Sequence, residues 1–135
     1  MTAARQSIVG PAGAPSAAGP YSHGLIWQGV LFCSGQTAVD PVTGKLISGT
    51  VAEQTVRCLE NLEATCQAAG STLLAAVRVG VYMVDLSLFG EMNAAYGAYF
   101  AGAQPLPART TIGVAALPGG AALEIDALVA LDPAN

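Results

Sequence analysis

Apolar residues near the C-terminus alternate one by one. Leu123, Ile125, Ala127, Val129 and Leu131 fall on one side of an extended chain, with Glu124, Asp126, Leu128 and Ala130 on the other. That two-residue period belongs to a strand with one buried face. Val77, Val79, Val81 and Met83 alternate in the same way with Arg78, Gly80, Tyr82 and Val84. Between Thr50 and Ala69 the period changes. Val51, Thr55, Cys58, Leu59, Leu62, Cys66 and Ala69 recur three and four apart, which gathers them on one face of a helix. Thr50 and Glu53 have capping-box spacing, Gly70 stands where a glycine ends a helix, and Glu53 and Arg57 are spaced to pair on the wet side. A second helix is expected from Asp85 or Ser87 to about Ala101, burying Phe89, Met92, Tyr96, Tyr99 and Phe100. Pro105 and Pro107 end it and return the chain to extended structure.

Short β-prone runs fill the remainder. A first strand near Gln6–Val9 precedes a small-residue, proline-punctuated loop over 10–20. Tyr21–Gln28 and Val30–Gln36 are joined around Gly29 as a hairpin, and Asp40-Pro-Val-Thr-Gly44 has turn chemistry. Arg109–Leu117 and Ala121–Leu131 flank Pro118-Gly119-Gly120 and read as a terminal β-hairpin. The resulting order is β-β-β-α-β-α-β-β, an α+β sandwich with two helices on one face of a mixed sheet. The 135 residues suit one domain over 1–135, and no internal repeat is visible.

Composition adds an assembly. Five Lys and Arg with nine Asp and Glu make only 14 charged side chains, against 53% hydrophobic residues. An ordinary soluble domain carries about a quarter of its residues as charges. So thin a polar coat implies that apolar surface is buried against other copies, and a homo-oligomer is expected. A net charge of −4, with Arg5, Lys45, Arg57, Arg78 and Arg109 scattered singly, argues against nucleic acid and anionic membrane surfaces as partners. Cys33, Cys58 and Cys66 are odd in number and form no C-x-x-C pair, which reads as free thiols in a reducing cytoplasm. No leader is apparent after Met-Thr-Ala-Ala-Arg-Gln-Ser, and no apolar run reaches the length of a membrane span.

Candidate chemistry is sparse. Glu124 sits in an otherwise apolar strand and Arg109 opens the neighbouring extended run. On the wet face of an edge strand both would be ordinary surface charges; buried, both would need a reason to be there. A hairpin centred near Gly119 would set them about four residues apart along the ladder, on the order of 13 Å. A site using both therefore needs substrate, water or a neighbouring subunit between them. Ser34 with His23 and Asp40 lacks the nucleophile elbow of a serine hydrolase. The lone His23 offers no second metal ligand and reads as a loop or core residue. No glycine-rich loop opens a helix, so no nucleotide cofactor is expected.

Five runs, in order along nearly the whole chain, resemble the RidA (YjgF) family of imine and enamine deaminases. They are Gly19-Pro-Tyr-Ser22, Phe32-Cys-Ser-Gly-Gln36, Asn93-Ala-Ala-Tyr96, Pro107-Ala-Arg-Thr-Thr111 and Leu123-Glu-Ile-Asp-Ala127. The resemblance implies a homotrimer of chorismate-mutase-like subunits with sites in the clefts between them, and no metal or cofactor. It implies that Arg109 grips the carboxylate of a 2-imino acid and that Glu124 positions water or moves a proton at the imine carbon. Tyr21, Ser34, Gly35 and Asn93 match positions lining the family's pocket. Thr111 stands where many members have Cys, and its hydroxyl or backbone N–H can still donate a hydrogen bond. The implied reaction turns 2-iminopropanoate or 2-iminobutanoate into a 2-keto acid and ammonia. Another enamine carboxylate, such as 2-aminomuconate, is the alternative substrate; a non-catalytic small-carboxylate binder or a chaperone-like protein is the alternative outside catalysis.

Overall fold

The hairpin around Gly29 forms, and its turn sets its register. In a computed structural model that describes residues 4–132, β2 (Gly24–Trp27) and β3 (Val30–Thr37) run antiparallel through a two-residue turn. Gln28 and Gly29 have φ of 51° and 76°, the mirror-image turn whose twist matches the strands it joins. β1 (Gln6–Ile8) pairs along the outer side of β2. Residues 1–3, part of the stretch read above for a leader, lie outside the described residues.

Helix α1 (Val51–Ala68) starts on the expected capping box. The Thr50 hydroxyl accepts from the Glu53 N–H, and the Glu53 carboxylate accepts from the Thr50 N–H. Because the cap occupies Glu53, the expected Glu53–Arg57 pair is not made. Arg57 instead pairs with Glu60 at 3.0 Å and donates to Asn61. Asn61 is fully buried, and its amide donates to the Thr37 and Val39 carbonyls, fastening the chain that leaves β3 onto the helix.

β4 (Ala76–Met83) carries a register shift between Ala76 and Arg78. The irregularity puts Ala76 in the core and leaves Val77 exposed, contrary to simple alternation. Asp85 caps a 3-10 turn that leads into α2 (Phe89–Tyr99). Met92, Tyr96 and Phe100 are buried as expected and Tyr99 is half-buried, but Phe89 is exposed.

The terminal hairpin does not form. β5 (Ala108–Gly113) pairs parallel with β4, whereas β6 (Leu123–Ala130) lies antiparallel between β3 and β4. The sheet order is β1-β2-β3-β6-β4-β5. The physical reason is the crossover. A strand, a helix and a second strand favour parallel pairing, and α2 supplies that connection from β4 to β5. β6, with a wholly apolar face, takes a central place; β5, which opens Ala-Arg-Thr-Thr, takes the edge. Glu124 therefore belongs to a central strand. The helix-side face packs Leu31, Val79, Val81, Ile125 and Val129 into one core with Leu59, Leu62, Cys66 and Phe100. No element of the described chain covers the opposite face, where Phe32 is 39% and Ile112 44% exposed.

Candidate active site

Glu124 stands in register with Tyr82 of β4 and Thr37 of β3, on the sheet face away from the helices. Gly35 makes room for it: a Cβ there would fall against the carboxylate, 2.9 Å from its Cδ. A glycine inside a strand often marks such a close approach. Burial, and then the charge of Asp126 two residues along, push the Glu124 carboxyl above the usual carboxylate range. A carboxyl so shifted exchanges protons closer to neutrality, which suits general acid–base work. Tyr21, Ser34, Gly35 and Pro118 surround it in a hollow of about 310 Å³. The Ser34 hydroxyl donates to the Ser22 carbonyl at 2.6 Å, so it helps shape this wall.

Arg109 is placed quite differently. Its register partner is the fully buried Val79, which puts it on the helix side of the edge strand. The guanidinium carbon lies 4.6 Å from the Tyr96 ring centroid and 5.6 Å from that of Phe89. Stacking on rings holds the planar group while leaving its N–H edge available to a carboxylate. Phe89, exposed and outside the core, forms one wall of that contact. Among the described residues no carboxylate forms an ion pair with Arg109. Asn93, Tyr96, Phe100, Leu106 and Arg109 line a cleft of about 580 Å³. Thr111 lies two residues along the same face, its hydroxyl buried without a hydrogen-bond partner among the described residues.

The structure thus assembles two groups. Tyr21, Ser34 and Gly35 gather around Glu124; Asn93 and Thr111 accompany Arg109. It does not bring the two groups together within one chain. β4 lies between their strands, three register positions separate them, and their side chains leave opposite faces. Two strand spacings and three residues amount to about 14 Å. The separation expected from a hairpin was similar in size but rested on a pairing that does not exist.

Three comparisons with known proteins bear on this arrangement. A family model described as Endoribonuclease L-PSP matches residues 12–131. The chain belongs to this family, the RidA (YjgF) family. A 2-iminobutanoate/2-iminopropanoate deaminase from Rattus norvegicus is 36% identical over 133 residues, covering 98% of this chain and 96% of that protein. The RutC family protein y4sK from Sinorhizobium fredii is 42% identical over 118 residues, 87% of this chain and 92% of its own. Among solved structures, E. coli TdcF with bound serine matches with a TM-score of 0.87 and 34% identity, over 94% of this chain and all (100%) of that one. The YjgF gene product of E. coli gives 0.86 and 35%, over 93% and 98%.

Other polar residues of this RidA chain are committed elsewhere. His23 is buried, with Nδ1 accepting from the Gly10 N–H at 3.2 Å and Nε2 facing the Pro15 carbonyl at 2.7 Å. That pairing assigns the proton to Nε2 and makes the ring a pin for the 10–20 loop. Asp40 accepts from the Val42 and Thr43 N–H groups of its own turn, so Ser34, His23 and Asp40 form no triad. All three cysteines are buried and free. Burial pushes the Cys58 thiol up to about 12, and a hydrogen bond between Cys66 and Cys33, together with burial, pushes the Cys66 thiol up as well. These two are neutral packing groups. No three His, Cys, Asp or Glu side chains gather as a cation site among the described residues, and no helix there is long and apolar enough to cross a membrane. Sequence reasoning passed over the Tyr96 ring as Arg109's seat. The only signal was that Tyr96 lies one turn from Asn93 on the expected buried side of the second helix.

Proposed function

We propose that the protein hydrolyses 2-iminopropanoate and 2-iminobutanoate to pyruvate and 2-oxobutanoate, with release of ammonia and without a cofactor. The sites are completed between the subunits of a homotrimer. The observation that carries this reading is the pair of half-sites: an available guanidinium fork on one face and a carboxyl of raised proton affinity on the other. Neither half carries both roles, and a second copy of the chain supplies the missing one. The apolar open face and the 14 charged residues support that assembly, and the names of the relatives support the chemistry. Three buried free thiols fit a reducing cytoplasm.

The residues divide the reaction simply. Arg109 binds the substrate carboxylate through two parallel hydrogen bonds, fixing the imine carbon. Glu124, as carboxylate, takes a proton from water while the water oxygen bonds to the carbon of the protonated imine. The C=N electron pair moves to nitrogen. The resulting carbinolamine receives the Glu124 proton on its nitrogen; the C–N bond breaks, ammonia leaves, and the hydroxyl gives its proton to water as the carbonyl forms. Thr111 and Asn93 supply hydrogen bonds beside Arg109. A ribonuclease reading finds less support: Arg57 and Arg78 face Glu60 and Asp126, Arg109 is stacked on aromatic rings, and no basic patch forms from them.

The test is an imine-trapping assay. A PLP-dependent dehydratase generates the imino acid from serine or threonine while semicarbazide competes for it. The protein is expected to reduce semicarbazone formation in proportion to its concentration. Unchanged trapping, with ketoacid binding retained, would replace the deaminase by a small-carboxylate binder; activity confined to larger enamines would move the substrate toward compounds such as 2-aminomuconate.

A further inference from the structure

Beside Glu124 on the open sheet face lies a second carboxylate that the proposed reaction does not use. Asp126 belongs to the same strand and the same face. Its Oδ2 accepts from the Tyr82 hydroxyl at 3.0 Å, and its Oδ1 stands 3.9 Å from the Arg78 guanidinium. The seat is built by a glycine. A Cβ at Gly80, in register with Asp126, would collide with Oδ1 and approach the Tyr82 hydroxyl to 2.8 Å. That Oδ1 is buried and has no hydrogen-bond partner among the described residues. Glu124 leans over Gly35 on one side and Asp126 over Gly80 on the other, so two glycine gaps fix two carboxylates two residues apart. Bulkier residues at 35 in β3 and 80 in β4 would push both outward into water. An unsatisfied buried carboxylate oxygen costs stability, and this one is retained.

We propose that Asp126, seated over Gly80 by Tyr82 and partly neutralised by Arg78, is a positioning residue that acts beside burial in setting proton uptake at Glu124. The proposal rests on the reading of Glu124 as the group that moves protons. The other groups around Glu124 are few. Tyr82 faces it from β4, Thr37 from β3 and Tyr21 across the hollow; Cys58 of α1 lies beneath the sheet near Leu123, neutral at working pH. None is a cation, and no cation pairs with Glu124 among the described residues. Within its own chain Asp126 is thus the charge that acts on Glu124, alongside the Arg109 that the proposed assembly brings from another copy. Arg78 moderates it, since a guanidinium at that distance offsets part of the negative field while leaving Oδ1 unbonded.

The experiment reads Glu124 directly by carbon-13 NMR titration of its carboxyl in the full-length protein, alongside the acidic limb of the imine-hydrolysis pH profile. Asp126→Asn should lower the Glu124 midpoint by roughly half to one pH unit, and the acidic limb should follow. Arg78→Gln should move both in the opposite direction, because it uncovers the Asp126 charge. Tyr82→Phe should give a smaller downward shift, because the carboxylate is then free to turn toward water; it also stands in should Asp126→Asn fail to fold. A role confined to holding strands together predicts lower melting temperatures with an unmoved midpoint, and that result overturns the proposal. Shifts of one sign in both Asp126→Asn and Arg78→Gln overturn it too. If the midpoints move as stated but no variant, nor the parent, hydrolyses imines, the coupling stands and the deaminase reading falls.

Discussion

The two faces of the sheet are built on different terms. On the helix side, Leu31, Val79, Val81, Ile125 and Val129 are all fully buried, and α1 and α2 cover them without help from outside the chain. On the open side, Trp27, Phe32 and Ile112 remain exposed beside Glu124, Asp126 and Arg78. The covered face follows ordinary rules of packing. The open face breaks them twice, with rings in water and carboxylates in gaps left by glycine. A surface that violates both rules is shaped for something that is not in the single chain, and the missing half of the Arg109 site is the same kind of thing. On the proposed reading the covered face answers chiefly to stability, with Arg109 at its β5 edge the exception, and the open face to assembly and to the chemistry of Glu124, so substitutions on the two should separate these properties.

The largest separation is expected at the two charged residues themselves. Glu124→Gln should slow imine hydrolysis on the order of 10²–10⁴-fold while 2-oxobutanoate binding persists, because Arg109 still holds the carboxylate. Its stability should move the other way. Glu124 has a raised proton affinity in the folded state, so it favours folding in acid and loses that contribution as pH rises through its folded pKa. Glu124→Gln should therefore melt higher than the parent at neutral pH, and the gap should close in acid. Arg109→Ala should abolish ketoacid binding and turnover together, and Arg109→Lys should recover little, since a point charge lacks the planar fork. Calorimetric binding and trapping assays on the same preparations check all three. Normal ketoacid binding by Arg109→Ala would move the carboxylate site elsewhere.

On the covered face, Leu62→Ala should cost about 2–5 kcal/mol in urea unfolding, through lost burial and the cavity left between α1 and the sheet. The activity of molecules that remain folded should change little. On the open face, Phe32→Ser should cost the isolated chain only about 1–1.5 kcal/mol, because the ring is already 39% exposed. Its main effect should be on assembly, which sedimentation reads as a shift toward the 13.5 kDa monomer and trapping reads as lost activity. If Phe32→Ser leaves the parent's association state intact, the open face is not where the copies meet.

What could be read from sequence follows the same division. The α1 boundaries, its cap and its buried stripe were legible because each is decided within a few residues. The Gln28-Gly29 hairpin was legible for the same reason. The terminal hairpin was misread because strand neighbours are chosen across the whole chain. A helix between β4 and β5 already favoured a parallel pair, and that rule outweighs the turn residues at Pro118-Gly119-Gly120. Arg109 and Glu124 were visible as charges in strands, but their opposite faces depend on which strand lies between them, and that was not local information. The Glu53–Arg57 pair failed at short range, where two partners competed for one carboxylate and the cap was closer.

That competition gives the smallest effect and the sharpest check on the covered face. Thr50 accepts from the Glu53 N–H at 3.1 Å, and Thr50→Ala should cost about 0.5–1 kcal/mol by leaving that donor at the helix start to water. The Glu53 carboxylate is held below the usual glutamate range chiefly by the Thr50 backbone N–H and secondarily by the Thr50 hydroxyl. A lowered folded pKa gives stability that is present above the unfolded pKa and lost as pH falls through the folded one. The parent should therefore lose part of its α1 start in acid. Thr50→Ala removes the hydroxyl but keeps the N–H, so it should show a smaller acid loss and not its absence. With Glu53 freed from one of its two bonds, Arg57 is still engaged by Glu60 and Asn61, so no new Glu53–Arg57 pair should compensate. Urea melts of the two proteins at neutral and acidic pH measure both quantities. An acid loss of equal size in parent and variant would mean that the hydroxyl contributes nothing to holding Glu53 ionised, leaving the backbone N–H as its whole cap.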